Sequence, residues 1–249
     1  KSSLPLLIDS LIMKDKLSLR IKDIDNLTRI RVNITKALAN TKDSQAVYPL
    51  LYCLNNKEEN YKVKLSCAEA LGKIGDRYAV LPLMNILKDE NESSVYVKES
   101  AVSALGMIGD EKAVDSLVSI LESKKGIIDK FTFLKERALE ALNKLNFKGD
   151  RVFNALVKSL RDDSPQVRIN AIEVLMNSED DRAPDLIKGM LDDSNHDVVQ
   201  NAVIALYNLL DEDILKEIIK GENYTNIAKD EAIKLLDDLH EDDEGNIDE

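Results

Sequence analysis

Few side chains in this sequence have the chemistry for catalysis or metal binding. The 249 residues include only two histidines, His196 and His240, and two cysteines, Cys53 and Cys67. A reactive thiolate needs a histidine or a cationic pocket beside it, and no histidine lies near either cysteine in the sequence. We therefore predict that both cysteines are buried thiols that act as small apolar side chains. We also predict that His196, at the entrance to a helix, is solvated or caps that helix.

Sequence motifs that bind phosphate or activate a nucleophile are also missing. The chain has no P-loop, no dinucleotide-binding glycine pattern and no GxSxG segment. The glycine pairs in 72–75 and 106–109 match a GxxG nucleic-acid loop by letter. However, they recur at the period of a sequence repeat, which predicts that they end helices instead. The sequence thus predicts no catalytic site, no metal and no cofactor.

A repeat with a spacing of 34 residues organises the chain. The segment ALGKIGD (70–76) returns almost unchanged as ALGMIGD (104–110), and weaker copies lie at 37–43, 141–146, 174–181 and 205–212. Three residues before each copy stands a small or short apolar residue, in the series Ile34, Cys67, Ala101, Ala138, Ala171 and Ala202. A fixed period of this length is typical of stacked repeats, in which small side chains let paired helices approach closely.

Each repeat holds two apolar stretches with helical periodicity. Residues 46–54 and 63–71 form one pair, and residues 79–87 and 97–105 form the next, with apolar side chains at i, i+3, i+4 and i+7. Nine glycines, five prolines and a 4% aromatic share also favour helices over strands. We predict an all-α chain of about six helical pairs, at 3–41, 44–75, 77–109, 111–146, 150–179 and 182–211, closed by a half-repeat at 213–239. Insertions at 13–25 and 122–133 are expected on one edge.

These segments resemble the repeats of the HEAT family, in the HEAT-like form of the phycobilin lyases. The resemblance rests on the A-x-x-A-L-G-x-I-G-D segment and on a preceding apolar-basic pair, found at Ile30-Arg31, Val63-Lys64, Val97-Lys98, Leu134-Lys135 and Val167-Arg168. It covers residues 3–236 and departs from the pattern at Val198-Val199, where the base is missing. The resemblance implies a right-handed α-α superhelix. We predict one solenoid over residues 1–239 and an acidic, disordered tail at 240–249.

The resemblance also implies where a partner would bind. In related solenoids the second helix of each pair lines the concave face, so the outward positions of these helices are the candidate site. Among these outward positions, the partner-binding candidates are large apolar side chains, a cation and two columns of amides that can bond a peptide backbone. They are Tyr96, Met107, Phe133, Arg137, Asn170, Asn177, Asn201 and Asn208. Tyr96 and Phe133 hold equivalent positions in neighbouring repeats, which predicts that their rings form one apolar patch.

Charge and hydropathy exclude several classes of partner. The net charge of −12 argues against nucleic acid, because an acidic body repels phosphate. Residues 1–43 hold nine bases and five acids, whereas residues 237–249 hold eight acids and no base. The chain has no apolar run of 18 residues, so no membrane-spanning helix is predicted. Few cysteines and no signal-peptide pattern predict a cytoplasmic protein.

The sequence therefore predicts a non-catalytic module that binds or scaffolds a protein or peptide partner through a concave groove. Two alternatives stay open. The resemblance to phycobilin lyases raises an enzyme or enzyme subunit of that kind. A helical-repeat nucleic-acid-binding protein would need a continuous basic surface, and only residues 1–43 are net basic. A di-iron hydroxylase of the HEAT class would need several His-Glu pairs, whereas this sequence has only His240-Glu241.

Overall fold

Helices account for the regular structure of the residues that this computed structural model describes, which are 3–12, 24–89, 92, 94–123, 132–146 and 148–245. No strand occurs within these ranges, so the chain is all-α as predicted. Most of the two predicted insertions, residues 13–23 and 124–131, lies outside the described residues. Across the described part of the chain, no helix is both long enough and apolar enough to cross a membrane.

First and second helices of each repeat alternate along the chain. The first helices carry odd numbers and are α1 (Leu4–Ile12), α3 (Val47–Asn55), α5 (Val80–Lys88), α7 (Val114–Leu121), α9 (Asp150–Ser159), α11 (Ala183–Lys188) and α13 (Asn226–Gly245). The second helices carry even numbers and are α2 (Ile24–Thr41), α4 (Tyr61–Ile74), α6 (Val95–Ile108), α8 (Thr132–Leu145), α10 (Pro165–Asn177) and α12 (His196–Lys220). These pairs lie where the repeat predicted them, and the fold is an α-α solenoid.

Contacts divide the helices between two compact units. Unit 1 is Lys1–Leu145 with α1 to α8, and unit 2 is Asn146–Glu249 with α9 to α13. In unit 1 each even-numbered helix packs on the odd-numbered helix before it, and α2, α4, α6 and α8 lie side by side in that order. In unit 2, α9 packs on α10, α11 packs on α12, and α12 contacts both α10 and α13. A single solenoid over residues 1–239 stays a prediction.

The column of small residues lies in the core of each unit. Its members from the second repeat onward are fully buried, namely Cys67, Ala101, Ala138, Ala171 and Ala202. Two glycines mark even closer helix contacts, because a Cβ on Gly106 would lie 2.8 Å from Ala141 Cβ and one on Gly72 would lie 2.8 Å from Ala104 Cα. The prediction that these two glycines end helices is wrong. They lie inside α6 and α4, where the neighbouring helix leaves no room for a side chain.

The second helices end in left-handed backbone. A positive φ follows each helical run at one position per repeat, namely Lys42, Gly75, Gly109, Asn146, Glu179 and Asp211. Gly75 and Gly109 were predicted to end their helices, and this is confirmed, since glycine adopts a positive φ without a steric cost. Asp211 interrupts α12, which resumes immediately as its last turns. The following Asp76 and Asp110 start the next turn by accepting backbone N–H bonds at 2.9 and 3.0 Å.

The basic residue of the apolar-basic pairs joins consecutive repeats through buried ion pairs. Arg31 Nη1 of α2 lies 2.5 Å from Glu59 Oε2, in the loop before α4, and both side chains are only 2% exposed. Lys64 of α4 makes the same bond one repeat later, to Glu92 before α6. Each acid also accepts a backbone N–H at the start of the following helix, from Asn60 and Ser94 respectively. The motif that carried the resemblance is therefore structural.

In later repeats, the basic residue of the apolar-basic pair bonds to other acceptors. Lys98 Nζ donates to the backbone oxygens of Leu87 and Asp89 at 3.2 and 2.8 Å, at the end of the preceding helix. In unit 2, Arg168 Nη2 lies 2.8 Å from Asp193 Oδ1, with side chains 11% and 10% exposed. These contacts fix the loop between the two helices of a repeat in place.

The last helix runs further than the sequence predicted. Helix α13 continues to Gly245, so residues 240–245 of the predicted disordered tail are helical. The segment from 226 to 244 contains neither glycine nor proline, so nothing in it stops a helix. Residues 246–249 lie outside the described part of the chain.

Candidate functional site

The candidate surface of unit 1 is formed by the outward positions of its second helices. Tyr96 near the start of α6 and Phe133 near the start of α8 stack on each other, with ring centroids 6.4 Å apart and ring planes 17° apart. The predicted adjacency of the two rings is confirmed. Tyr96 is 55% exposed and Phe133 is partly exposed. The pair therefore presents an apolar, aromatic patch to solvent.

Arg137 lies one turn after Phe133 and ties α8 to α6. Its Nε lies 3.1 Å from Glu99 Oε1 of α6, and its Nη1 lies 2.8 Å from Glu140 Oε2 of α8. The hydrogen bonds to Glu140 and to Glu99 raise the pKa of the Arg137 guanidinium above its ordinary value. Two carboxylates thus hold this predicted binding residue inside unit 1. An acidic group of a partner would have to compete with both of them.

Met107 is exposed but lies away from the ring pair. It is 45% exposed and follows Tyr96 by 11 residues on α6, which is about 16 Å along the helix axis at about 1.5 Å per residue. A Cβ on Gly72 would lie 3.3 Å from its sulfur, so Met107 packs over the glycine of α4. The structure therefore brings Tyr96 and Phe133 together and leaves Met107 at the other end of the helix.

The predicted amide columns lie on α10 and α12 of unit 2. Hydrogen bonds within the unit engage Asn170, Asn201 and Asn208, in the pairs Gln166 Nε2 to Asn170 Oδ1 (2.8 Å), Asn201 Nδ2 to Asp197 O (2.8 Å) and Asn208 Nδ2 to Met176 Sδ (3.5 Å). Asn177 is exposed near the end of α10. The side chains thus have part of their hydrogen-bonding capacity occupied, which a peptide backbone would have to share or replace.

A groove of about 610 Å³ lies between α2 and α4 of unit 1. Its lining includes the cations Arg29, Lys36 and Lys62 and the acids Asp25 and Glu69. Within the described residues, neither Lys36 nor Lys62 has an ion-pair partner, and Arg29 Nη2 donates to Asn26 Oδ1 at 2.7 Å. The sequence analysis did not include these cations among its binding candidates. The basic balance of residues 1–43 was a signal for Arg29 and Lys36 but not for Lys62.

The two cysteines meet beside a buried cation. Cys53 of α3 and Cys67 of α4 are 1% and 0% exposed, as predicted, and their thiols are close enough to influence each other's pKa. Arg31 Nη2 lies 3.4 Å from Cys53 Sγ. The interaction between the thiols lowers the pKa of Cys53 and raises the pKa of Cys67 well above its usual range, and Arg31 adds to the lowering at Cys53. Sequence reasoning treated the thiols separately and missed this contact between paired helices.

His196 lies at the surface, within ion-pair distance of an acidic side chain. His196 is the first residue of α12, its side chain is 64% exposed, and its Nε2 lies 2.8 Å from Glu231 Oε1 of α13. The helix cap is Asn195, which accepts the N–H of Val198 at 3.1 Å. Among the residues with assigned structure, no group of three or more His, Cys, Asp or Glu side chains is arranged to hold a metal.

A second apolar surface lies on the first helices of unit 1. Tyr48 and Tyr52 of α3 are 77% and 55% exposed, and Leu81 of α5 is 61% exposed. Sequence reasoning missed this surface because the first helices are apolar on almost all sides, so the pattern assigned these residues to the core. Tyr48 and Leu81 are each the second residue of their helix, which is the signal that they share an outward position.

Comparison with known proteins gives a family and several structures of the same fold. The HEAT-repeat sequence family matches residues 15–95, 49–130 and 125–207. No curated protein sequence matches the chain significantly. The complex of CpcE and CpcF of phycocyanin lyase from Nostoc sp. PCC7120 has a chain 20% identical to this one, with a TM-score of 0.53 over 96% of this chain and 95% of that one.

Two further structures are similar at the same level. An archaeal HEAT-like repeat protein from Thermococcus onnurineus NA1 is 18% identical, with a TM-score of 0.50 over 95% of this chain and 96% of that one. The YibA protein of Escherichia coli is 20% identical, with a TM-score of 0.57 over 92% of this chain and 84% of that one. At these identities the likeness is one of fold. Because the HEAT-repeat matches together span residues 15–207, the chain belongs to the HEAT-repeat family.

Proposed function

We propose that this HEAT-repeat chain is a non-catalytic binding module in which the second helices of unit 1 hold a segment of a protein partner. The observation that carries the proposal is the stacked pair of Tyr96 and Phe133 on neighbouring helices. Part of each ring is already buried, so covering the exposed part would remove roughly 100–200 Å² of surface from water, given about 150–250 Å² for a whole aromatic side chain. Exposed apolar surface of this kind is unfavourable in contact with water, but it suits the centre of an interface.

The surroundings of the rings favour binding because they are already held in place. Arg137 bridges Glu99 of α6 and Glu140 of α8, so the two helices that carry the rings are fixed relative to each other. A partner would then lose less free energy in ordering the surface when it binds. The amides of unit 2 enter the proposal as secondary contacts, since three of them are bonded within that unit.

The side chains with catalytic potential support a binding role better than an enzyme. Cys53 and Cys67 are at most 1% exposed, so neither thiol can meet a substrate without movement of α3 and α4. His196 is exposed but faces Glu231 rather than a nucleophile. The similar structure of CpcE with CpcF is that of a complex between two proteins, which agrees with a role exerted through a partner.

The double substitution Tyr96→Ser with Phe133→Ser tests the proposal. We expect capture of partner proteins to fall at least tenfold, while helical circular dichroism and the melting midpoint stay nearly unchanged, because Tyr96 is 55% exposed and Phe133 is partly exposed. The matched control is Tyr48→Ser with Leu81→Ser, which removes two large exposed apolar side chains from the first helices. The control should capture partners normally.

A photo-cross-linking aromatic amino acid placed at position 96 or at position 48 tests the same surface and keeps an aromatic ring at the substituted position. Adducts are expected from position 96 and should disappear when Phe133→Ser is added. Adducts from position 48 alone would mean that the first helices carry the interface. A several-degree drop in melting midpoint with full capture by the ring variant would mean that the rings belong to the core.

A further inference from the structure

Four equivalent side chains form a row across the second helices of unit 1. Arg29, Lys62, Tyr96 and Phe133 each lie five residues before the small-residue column, on α2, α4, α6 and α8 respectively. These four helices lie side by side in that order. We name this series the cation–ring row. It presents two cations followed by two stacked aromatic rings, so its two halves have different chemistry.

The basic half of the row is open to a ligand. Arg29 and Lys62 are exposed and line the groove of about 610 Å³ between α2 and α4, together with Lys36. Lys36 and Lys62 have no ion-pair partner among the described residues. Two acids, Asp25 and Glu69, also line the groove. The groove is therefore basic only near the three cations and not along its whole length.

We propose that the cation–ring row binds an extended peptide segment with carboxylates at one end and large apolar side chains at the other. This inference rests on the proposed function and adds the chemistry of the bound segment. Neighbouring helix axes are about 8–10 Å apart, and an extended chain advances about 3.3 Å per residue. A carboxylate opposite Lys62 and an apolar side chain opposite Tyr96 are then about three residues apart. The whole row spans about seven to nine residues.

The same row, with rings for bases and cations for phosphates, also invites comparison with a single-stranded nucleic acid. The charges around the row favour the peptide. A phosphate backbone carries a charge at every nucleotide, including those beside the rings, where Glu99 and Glu140 lie on either side of Arg137. A peptide can confine its charges to the basic half. The net charge of −12 adds to the repulsion of a polyanion.

The probe is a fluorescein-labelled nonapeptide, Glu-Gly-Ser-Glu-Gly-Ser-Phe-Ser-Leu, together with its reversed sequence, since the chain direction is open. Fluorescence anisotropy measures Kd. We expect one direction to bind, and Kd to rise at least tenfold when both Glu are replaced by Gln or when Phe and Leu are replaced by Ser. Raising NaCl from 50 to 300 mM should weaken the Glu peptide several-fold and leave the Gln peptide almost unchanged, because salt screens only the charged contact.

A charge reversal in the protein makes the test specific. Arg29→Glu with Lys62→Glu should lose the Glu peptide and bind a peptide with Lys in the same two places. This gain of binding cannot come from misfolding. The matched control is Lys88→Glu with Lys112→Glu, two exposed cations of unit 1 outside the row, and its Kd should stay within twofold of the unsubstituted protein.

The outcomes separate this inference from the proposed function. Equal binding of the Glu and Gln peptides, with loss only in the Tyr96→Ser and Phe133→Ser variant, would overturn the inference and leave the proposed function standing. Binding of a ten-residue oligothymidylate in place of any peptide, or no binding of either peptide direction up to 1 mM, would also overturn the inference. The proposed function itself fails if the ring variant keeps full partner capture.

Discussion

The second helices of the two units are held in place by the same kind of contact but present different surfaces. In both units an apolar-basic pair holds the loop between helices, as Arg31 does with Glu59 in unit 1 and Arg168 does with Asp193 in unit 2. At the outward positions, unit 1 has Lys36 and Lys62, which lack an ion-pair partner among the described residues, and a stacked ring pair. Unit 2 has outward amides that bond within their own unit, at Asn170 and Asn201, each one residue before the small-residue column.

This difference shows how a repeat protein separates stability from binding. Positions that recur in every repeat are those that the stack needs, whereas an outward position can change from repeat to repeat at little cost in stability. A residue that breaks the period at an outward position is therefore a better binding candidate than one that keeps it. Substitutions at recurring positions should therefore change stability, whereas substitutions at outward positions should mainly change binding.

The buried ion pair of unit 1 should give the largest effect. Glu59→Gln leaves the Arg31 guanidinium buried at 2% exposure without its charge partner, and removing one member of such a pair costs about 3–5 kcal/mol. We expect the urea midpoint of unit 1 to fall markedly. Asp193→Asn in unit 2 should cost less, because both members of that pair are about one-tenth exposed.

Glu111→Gln is the control for this experiment, since Glu111 is an exposed acid of unit 1. It should leave the urea midpoint within error of the unsubstituted protein. If Glu59→Gln proves as mild as Glu111→Gln, the recurring base does not hold the repeats together. The packing of the repeats would then depend on the column of small residues alone.

The next largest effect concerns the helix contact at Gly106. In Gly106→Ala the new Cβ would lie 2.8 Å from Ala141 Cβ and 2.9 Å from Ala141 Cα, so α6 and α8 must move apart. Such overpacking costs about 1–3 kcal/mol. Gly189→Ala is the matched change in unit 2, where no heavy atom lies within 4 Å of the new Cβ and φ is −62°. It should be neutral or stabilise by about 0.5 kcal/mol. Thermal melts of both variants give the comparison.

Sequence reasoning recovered the parts of this molecule that repeat. The helix pairs, the left-handed ends at Gly75 and Gly109 and the buried column follow from period and residue type, because each copy confirms the others. It missed contacts that depend on the exact arrangement of particular helix pairs. The meeting of Cys53 with Cys67 depends on how two helices face each other, and the packing role of Gly72 depends on the position of Ala104 in the next repeat.

The candidate site was predicted only in part, for the same reason. The equivalent positions of Tyr96 and Phe133 were enough to predict that the rings meet. The ion-pair network at Arg137 requires the distance between α6 and α8, and the hydrogen bond of Asn208 to Met176 requires a rotamer. Neither quantity is written in the spacing of one sequence.

A smaller effect distinguishes how the two units end their second helices. Unit 1 has glycine at two of its left-handed ends, whereas unit 2 has Glu179 and Asp211 at such positions. A non-glycine residue in this conformation costs about 1–2 kcal/mol, and glycine costs about 0.5–1 kcal/mol in unfolded-chain entropy. Glu179→Gly should therefore stabilise unit 2 by about 0.5–1 kcal/mol, seen as a higher melting midpoint.

Glu179 also pairs with Lys148 at 2.5 Å, with both side chains more than half exposed. An exposed pair of this kind contributes little, so Lys148→Gln, which removes the ion pair and keeps the backbone, should leave the midpoint unchanged. A lower midpoint in both variants would show that the ion pair outweighs the backbone strain at Glu179.

The smallest effect is expected at the amides of unit 2, and it tests the difference between the surfaces directly. Asn201→Ser with Asn208→Ser removes a side-chain bond to the Asp197 backbone and a 3.5 Å contact with the Met176 sulfur. Both amides lie at the surface, where substitutions change stability by about 0.5 kcal/mol or less. As secondary contacts they should weaken partner capture about two- to threefold, against at least tenfold for the ring variant of unit 1. Both variants must be compared with the same captured partner and at the same salt concentration. If the amide variant loses capture as completely as the ring variant, the partner is held by both units, and the assignment of binding to unit 1 is wrong.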